Sequence, residues 1–278
     1  MTESAYVEID GRLGFVETAG EGHPVLCVHT AGQSGVQWRR TLRELPRYGY
    51  RVIVPDLPGH GRSDEAAGGP VTDLGAYRDW LLRLAAELGA DRFHVVGCSI
   101  GGKITLDLAA SAPDRVTAAV AMAADARNAR WSVRSLERSL DDVSSPSRAD
   151  RTYYGTLAAV GAAVPPERAA EIARMHRRED PVISTSDLIA WTRHDLRDRL
   201  DAIACPLRMV AGADDFWIDV PDVEWTARRV PGCRLDVLPG VGHYPMEEID
   251  DFTAVLAGWL ADLETPRTSP CPPTWIEP

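Results

Sequence analysis

The sequence predicts an α/β fold with a mostly parallel central sheet, flanked by helices and interrupted late by a helical insertion. Three observations carry this. Short apolar runs without polar alternation recur in the first half and again near the end, as in strands buried on both faces. Segments of helical period stand between them, the pattern of crossover units in a parallel sheet. From residue 126 to 203 such runs stop, and arginine and acid become dense.

The first run is Pro24-Val25-Leu26-Cys27-Val28-His29, and residues 37–48 after it read as a helix. Arg51-Val52-Ile53-Val54-Pro55-Asp56 is the second run. The helix after it, residues 73–88, places Leu74, Tyr77, Trp80, Leu81, Leu84 and Leu88 on one face. Phe93-His94-Val95-Val96-Gly97 is the third strand, and residues 103–111 form a helix that Pro113 stops. Residues 116–124 are the fourth strand. The insertion reads as short helices broken at Pro146, at Pro165-Pro166 and at Pro181. Strands at 207–211 and 234–238 and a closing helix at 251–263 resume the pattern. The proline-rich stretch 265–278 reads as an irregular tail.

At 278 residues the chain is long enough for one large core. Its apolar content of 45% and charged content of 26% are ordinary for a globular protein. A net charge of −11 argues against nucleic acid or an anionic membrane as the main partner. No apolar run reaches the ~18 residues of a membrane span. The first ten residues lack the basic start and apolar core of a secretory signal. Five scattered cysteines with no C-x-x-C pair suggest neither a disulfide framework nor a zinc site. The expectation is a reduced, cytoplasmic protein. Pairing of two copies through a core or insertion edge stays open.

One stretch is poorly explained by folding alone. Gly97-Cys98-Ser99-Ile100-Gly101-Gly102 places a serine between a strand and a helix and crowds it with glycine. This is the strand–turn–helix arrangement that exposes a nucleophilic hydroxyl at a sharp turn. Neighbouring strands and the helix leave no room for side chains two before and two after the serine. A serine hydroxyl needs a base. His243, in the glycine-flanked loop Gly240-Val241-Gly242-His243, has the right place late in the chain. The base needs a carboxylate to hold its tautomer. Asp214 and Asp215 follow the strand at 207–211, at the sheet end where such folds place their sites. The chain order is then serine, aspartate, histidine.

These stretches, with His29-Thr30-Ala31-Gly32 and Asp56-Leu57-Pro58-Gly59-His60-Gly61-Arg62-Ser63, resemble the α/β-hydrolase superfamily over the whole chain up to the tail. The resemblance implies a core of residues 1–125 and 204–264 and a cap of residues 126–203. It favours Asp215 over Asp214 as the acid. Asp125, at the end of the fourth strand, is the runner-up, because some members take the acid from there. It implies oxyanion donors at the backbone N–H groups of Ala31 and Ile100, with Gly32 as an alternative. This chain has Thr30 where members commonly carry glycine, so the loop is expected to run differently.

Thr30 and Gln33, with Ser34, are candidates to reach substrate; for Gln33 and Ser34 the alternative is an ordinary polar loop. In the cap, Trp131, Tyr153, Tyr154, Met175 and Trp191 are candidates to line a substrate site. For each of these five the alternative is a place in the cap's own core. His60 is given no catalytic role; its segment reads as a tight loop. No phosphate-binding loop, dinucleotide fingerprint or His-Glu-x-x-His motif is present, so no cofactor and no metal are implied. The expectation is a hydrolase that cleaves an ester or lactone of a small, largely apolar molecule through an acyl-enzyme on Ser99. A carbon–carbon bond hydrolase or a thioesterase with the same residues, and a non-catalytic binding protein, are the alternatives.

Overall fold

The computed structural model describes residues 1–128, 131–140, 147–265 and 274–275. A single sheet runs in the order β1-β2-β4-β3-β5-β6-β7-β8-β9. Its strands are β1 (Thr2–Ile9), β2 (Arg12–Ala19), β3 (His23–Val28), β4 (Tyr50–Pro55), β5 (Phe93–Cys98), β6 (Val116–Met122), β7 (Leu207–Gly212), β8 (Arg234–Leu238) and β9 (Thr274–Trp275). The β1–β2 and β2–β4 pairs are antiparallel and the others parallel.

Side chains of the parallel strands are buried on both faces. Leu26, Ile53, Val95, Ala119 and Met209 pack toward α2 (Leu74–Glu87) and α3 (Ile100–Ser111). Their neighbours Cys27, Val52, Val96, Val120 and Val210 pack toward α1 (Arg39–Glu44) and α10 (Phe252–Glu264). That double burial is why these strands read as unbroken apolar runs. Asp73 caps α2 by accepting the Gly75 N–H at 2.9 Å.

Three elements differ from the sequence reading. The hairpin β1–β2 was not expected, because β1 is exposed along nearly its whole length and buries no apolar run. Its signal was Asp10-Gly11, where both residues take positive φ (53° and 72°), the requirement of a two-residue hairpin turn. The helix expected at 37–48 is split into a 3-10 turn, α1 and a second 3-10 turn, Leu45–Tyr48, that contains Pro46. The tail is not wholly irregular: Thr274 and Trp275 pair with β8, supplying partners to a strand edge that would otherwise be open.

Between β6 and β7, the described residues form α4 (Val133–Leu140), α5 (Arg148–Ala159), α6 (Pro166–His176) and α7 (Pro181–Arg193), then a 3-10 turn, Arg197–Ala202. Pro166 and Pro181 each stand at the first turn of their helix, where the missing N–H costs nothing. The break expected at Pro146 lies outside the described residues. After β7 come α8 (Val220–Ala227) and, after β8, the short α9 (Pro245–Glu248). No helix among the described residues is long and apolar enough to cross a membrane.

The turn from β5 into α3 is closed to any side chain at its flanks. A methyl group at Gly97 would fall on the Gly101 backbone carbonyl. One at Gly101 would lie 2.7 Å from the His29 carbonyl oxygen and nearer still to that of Val28. Backbone cannot yield cheaply here. Gly101→Ala is expected to lower unfolding free energy by about 1–3 kcal/mol, the range of core overpacking, as read by urea denaturation.

Candidate active site

Ser99 is the residue between β5 and α3. Its backbone sits at φ 58°, ψ −118°, a strained conformation for a residue with a Cβ. The adjacent chain fixes it: its N–H donates to Met122 O at 3.0 Å, and its carbonyl accepts the Lys103 N–H at 2.9 Å. Its neighbour Cys98 is fully buried, which pushes its thiol pKa well up, and the thiol donates to His243 O at 3.1 Å.

His243 lies in the loop between β8 and α9, and that loop is pinned from several sides. The His243 N–H donates to Ala159 O at the end of α5, at 2.8 Å. The Glu248 carboxylate accepts the N–H groups of Gly242 (2.6 Å), Tyr244 (2.8 Å) and, from the segment after α5, Gly161 (3.0 Å). Burial nevertheless raises the Glu248 pKa. The His243 Nδ1 stands 2.9 Å from both carboxylate oxygens of Asp215. Asp215 Oδ1 also accepts the N–H groups of Trp217 (2.8 Å) and Ile218 (3.2 Å). The imidazole is thus held with Nδ1 as donor and Nε2 free for chemistry.

Asp125, the runner-up acid, is engaged elsewhere. Its Oδ1 is 2.5 Å from the Nζ of Lys103, an ammonium with no exposed surface. Asp214 instead accepts the Ala162 N–H at 2.8 Å. Asp125→Asn leaves a buried cation without its counter-charge. It is expected to cost about 3 kcal/mol of stability in a denaturant titration, while turnover per folded molecule persists.

The loop after β3 runs as the residues at 30 and 32 require. Positive φ falls on Gly32 (66°), not on Thr30. The Thr30 carbonyl accepts the Gln33 N–H at 3.2 Å and the His29 Nδ1–H at 2.9 Å. In a trans peptide the N–H points opposite to the carbonyl, so the Ala31 N–H is turned away from both donors. Among the described residues, the N–H groups of Thr30, Gly32 and Gln33 have acceptors, at Gln37 Oε1 (2.9 Å), Asp187 Oδ2 (2.8 Å) and Thr30 O. Gly32 is therefore not a spare donor. The N–H groups of Ala31 and Ile100 meet no acceptor among the described residues. Ile100 opens α3, whose first N–H groups have no intrahelical partner and carry the positive end of the helix dipole.

Ser99, His243, Thr30 and Ala31 line one cavity of about 410 Å³, and Gln33, Trp131 and Trp191 line it too. Tyr154 does not. On α5 the residues that face the cavity are Arg148, Arg151, Thr152, Gly155 and Thr156, and Tyr154 falls on the opposite face, 66% exposed. Tyr153 is not in the wall either. Met175 and Ser34 line a neighbouring cavity of about 320 Å³.

Sequence reasoning missed Phe216, Trp217 and Tyr244 in the main wall, and His176 of α6 and Leu188 of α7. The signal for the first three was adjacency, since each follows Asp215 or His243 in a loop that faces the same mouth. His176 is a long-range surprise: its Nε2 lies 2.6 Å from Glu247 Oε2, and both are buried.

His60 belongs to a buried polar cluster. Its Nδ1 faces Pro58 O at 3.1 Å and its Nε2 faces Asp187 Oδ2 at 2.8 Å. Both partners only accept, so the ring carries both protons. Burial opposes that charge, but the Asp187 carboxylate outweighs it and the pKa is raised. The neighbouring His29 is the opposite case. Its Nε2 accepts the Leu57 N–H at 3.0 Å, and burial with the nearby His60 charge lowers its pKa to about 4. Among the described residues no group of three or more His, Cys, Asp and Glu is arranged to hold a metal ion.

Comparison with known proteins agrees with this architecture. A pimeloyl-[acyl-carrier protein] methyl ester esterase of Chromobacterium violaceum is 29% identical over 262 residues, covering 88% of this chain and 97% of that one. A 2-hydroxy-6-oxo-6-phenylhexa-2,4-dienoate hydrolase of Burkholderia cepacia is 25% identical over 286 residues, covering 94% and 97%. The solved structure of a thermophilic esterase from Thermogutta terrifontis superposes with a TM-score of 0.82 at 25% identity, over 95% of this chain and all of that one. Residues 23–248 match the family model of the alpha/beta hydrolase fold, and the chain belongs to that family of hydrolases.

Proposed function

We propose that the protein is a serine hydrolase that cleaves a carboxylic ester or lactone of a small, largely apolar molecule. The observation that carries this reading is the Asp215–His243 pair, with Nδ1 2.9 Å from both oxygens, in the wall of the same cavity as Ser99. In this reading Ser99 Oγ attacks the carbonyl carbon and His243 Nε2 takes its proton. The N–H groups of Ala31 and Ile100 stabilise the oxyanion. Collapse of the tetrahedral intermediate breaks the acyl–oxygen bond, and His243 protonates the leaving alkoxide. Water, deprotonated by His243, then releases the acid from Ser99.

The wall of the cavity supports this choice of substrate class. Trp131, Leu188, Trp191, Phe216, Trp217 and Tyr244 supply apolar and aromatic surface, and about 410 Å³ suits a small molecule. A second reading, hydrolysis of a carbon–carbon bond beside a ketone with the same residues, is supported by the likeness to the Burkholderia cepacia enzyme.

A fluorophosphonate probe, read by intact mass and peptide mapping, tests the common chemistry. A single adduct on Ser99 is expected. A folded protein that takes no adduct on Ser99 would count against both readings. Panels of aryl and alkyl esters, lactones and β-diketones then separate the two.

A further inference from the structure

Asp187 sits in cap helix α7 with no exposed surface. Its Oδ2 accepts the Gly32 N–H at 2.8 Å, across 155 positions of sequence, and the His60 Nε2–H at 2.8 Å. Its Oδ1 accepts the Tyr77 hydroxyl at 2.7 Å. Gly32 immediately follows Ala31. The cap also packs directly onto this glycine: a methyl there would lie 2.7 Å from Ser184 Cβ and 2.8 Å from Glu179 Oε2. One residue further on, the Gln33 side chain donates to His176 O at the end of α6, at 3.2 Å. On the other side of Ala31, the Thr30 N–H is held by Gln37, whose Nε2 donates to Glu247 at 3.0 Å. The peptide that presents the Ala31 N–H is therefore clamped before and after. The clamp after it is a cap carboxylate.

We propose that Asp187 is a positioning residue for the oxyanion hole: it locks the Ala31–Gly32 peptide, so the hole is complete only while the cap is seated on the loop. His60 serves this arrangement by pairing the buried carboxylate, which would otherwise sit out of solvent with no counter-charge beside it. That gives the Asp56–Ser63 segment a second use besides its turn. The inference rests on the serine-hydrolase reading and adds a source for the oxyanion geometry that lies outside the core.

The test compares wild type, D187A, D187N and Y77F for 4-nitrophenyl acetate turnover and for inhibition by an aryl trifluoromethyl ketone, which forms a tetrahedral adduct. D187A is expected to lower kcat by about 10²-fold with KM within about threefold, and to weaken the ketone by a similar factor, as for loss of one oxyanion donor. D187N keeps an acceptor for Gly32 and is expected to recover most of both. Y77F removes only the bond to Oδ1 and leaves both within about threefold.

A merely structural role would lower the melting temperature without this matched loss. A folded D187A with unchanged kcat and ketone affinity overturns the inference and leaves the hydrolase reading standing. A wild type that turns over no ester and takes no label on Ser99 overturns the reading beneath it. Should D187A not fold, amide hydrogen exchange in wild type decides. Slow exchange at Gly32 is expected, and exchange at the solvent rate overturns the clamp.

Discussion

Ser99→Ala is expected to lower ester turnover by about 10⁶-fold, the scale seen when a serine nucleophile is removed from a working triad. The protein should stay folded, because alanine inherits the same backbone position and the turn is held by Met122 O and the Lys103 N–H. No neighbour can take over. Cys98 is adjacent, but its thiol is fully buried, donates to His243 O, and has its pKa pushed well up, so little thiolate forms. Turnover by purified S99A above about one hundredth of wild type would rule out Ser99 as the nucleophile.

Asp215→Asn carries the second-largest effect, a loss of about 10⁴-fold in kcat. The geometry says why an isosteric change is so damaging. Asp215 Oδ1 is held by the N–H groups of Trp217 and Ile218, so an asparagine places its amide oxygen there. Its NH₂ then occupies the Oδ2 position, as close to His243 Nδ1 as the oxygen is (2.9 Å each), and competes with it by donating to Nδ1. The tautomer with its proton on Nε2 gains weight, and on the proposed reading Nε2 is the atom that receives the Ser99 proton. Steady-state kinetics on D215N and D125N separate the two candidate acids. A loss of under about tenfold in D215N would mean that the carboxylate is not the one that orients the base.

Much of this was legible because it depends on local patterns. Doubly buried strands left unbroken apolar runs, and Gly97-x-Ser99-x-Gly101 recorded a steric demand that the backbone carbonyls of Val28 and Gly101 impose. The choice of Asp215 came from the family resemblance, in which the acid stands three residues after the glycine of the late strand; its carboxylate lies 2.9 Å from His243 Nδ1. What was not legible depends on helix phase or on distant partners. Tyr154 was a candidate by residue type, yet its place on α5 turns it outward, which no single residue reveals. The contacts of Gly32 with Asp187, of Gln33 with His176 and of Gln37 with Glu247 join segments more than a hundred positions apart. The β1–β2 hairpin was missed because only its turn, not its strands, bore a signal.

The strained backbone of Ser99 also bears on how the chain would drift under mutation. A left-handed φ of 58° with ψ −118° costs a side-chain-bearing residue about 1–3 kcal/mol. Glycine accepts that conformation freely and gives back only about 0.5–1 kcal/mol in unfolded-state entropy. Selection on stability alone would therefore favour glycine at position 99 and silence the hydroxyl. A lineage that needed this fold only as a binding scaffold would have had an easy downhill route away from serine. The chain still carries serine there, in the wall of the cavity that His243 also lines, and on the proposed reading it is catalysis that keeps it against the grain of the fold.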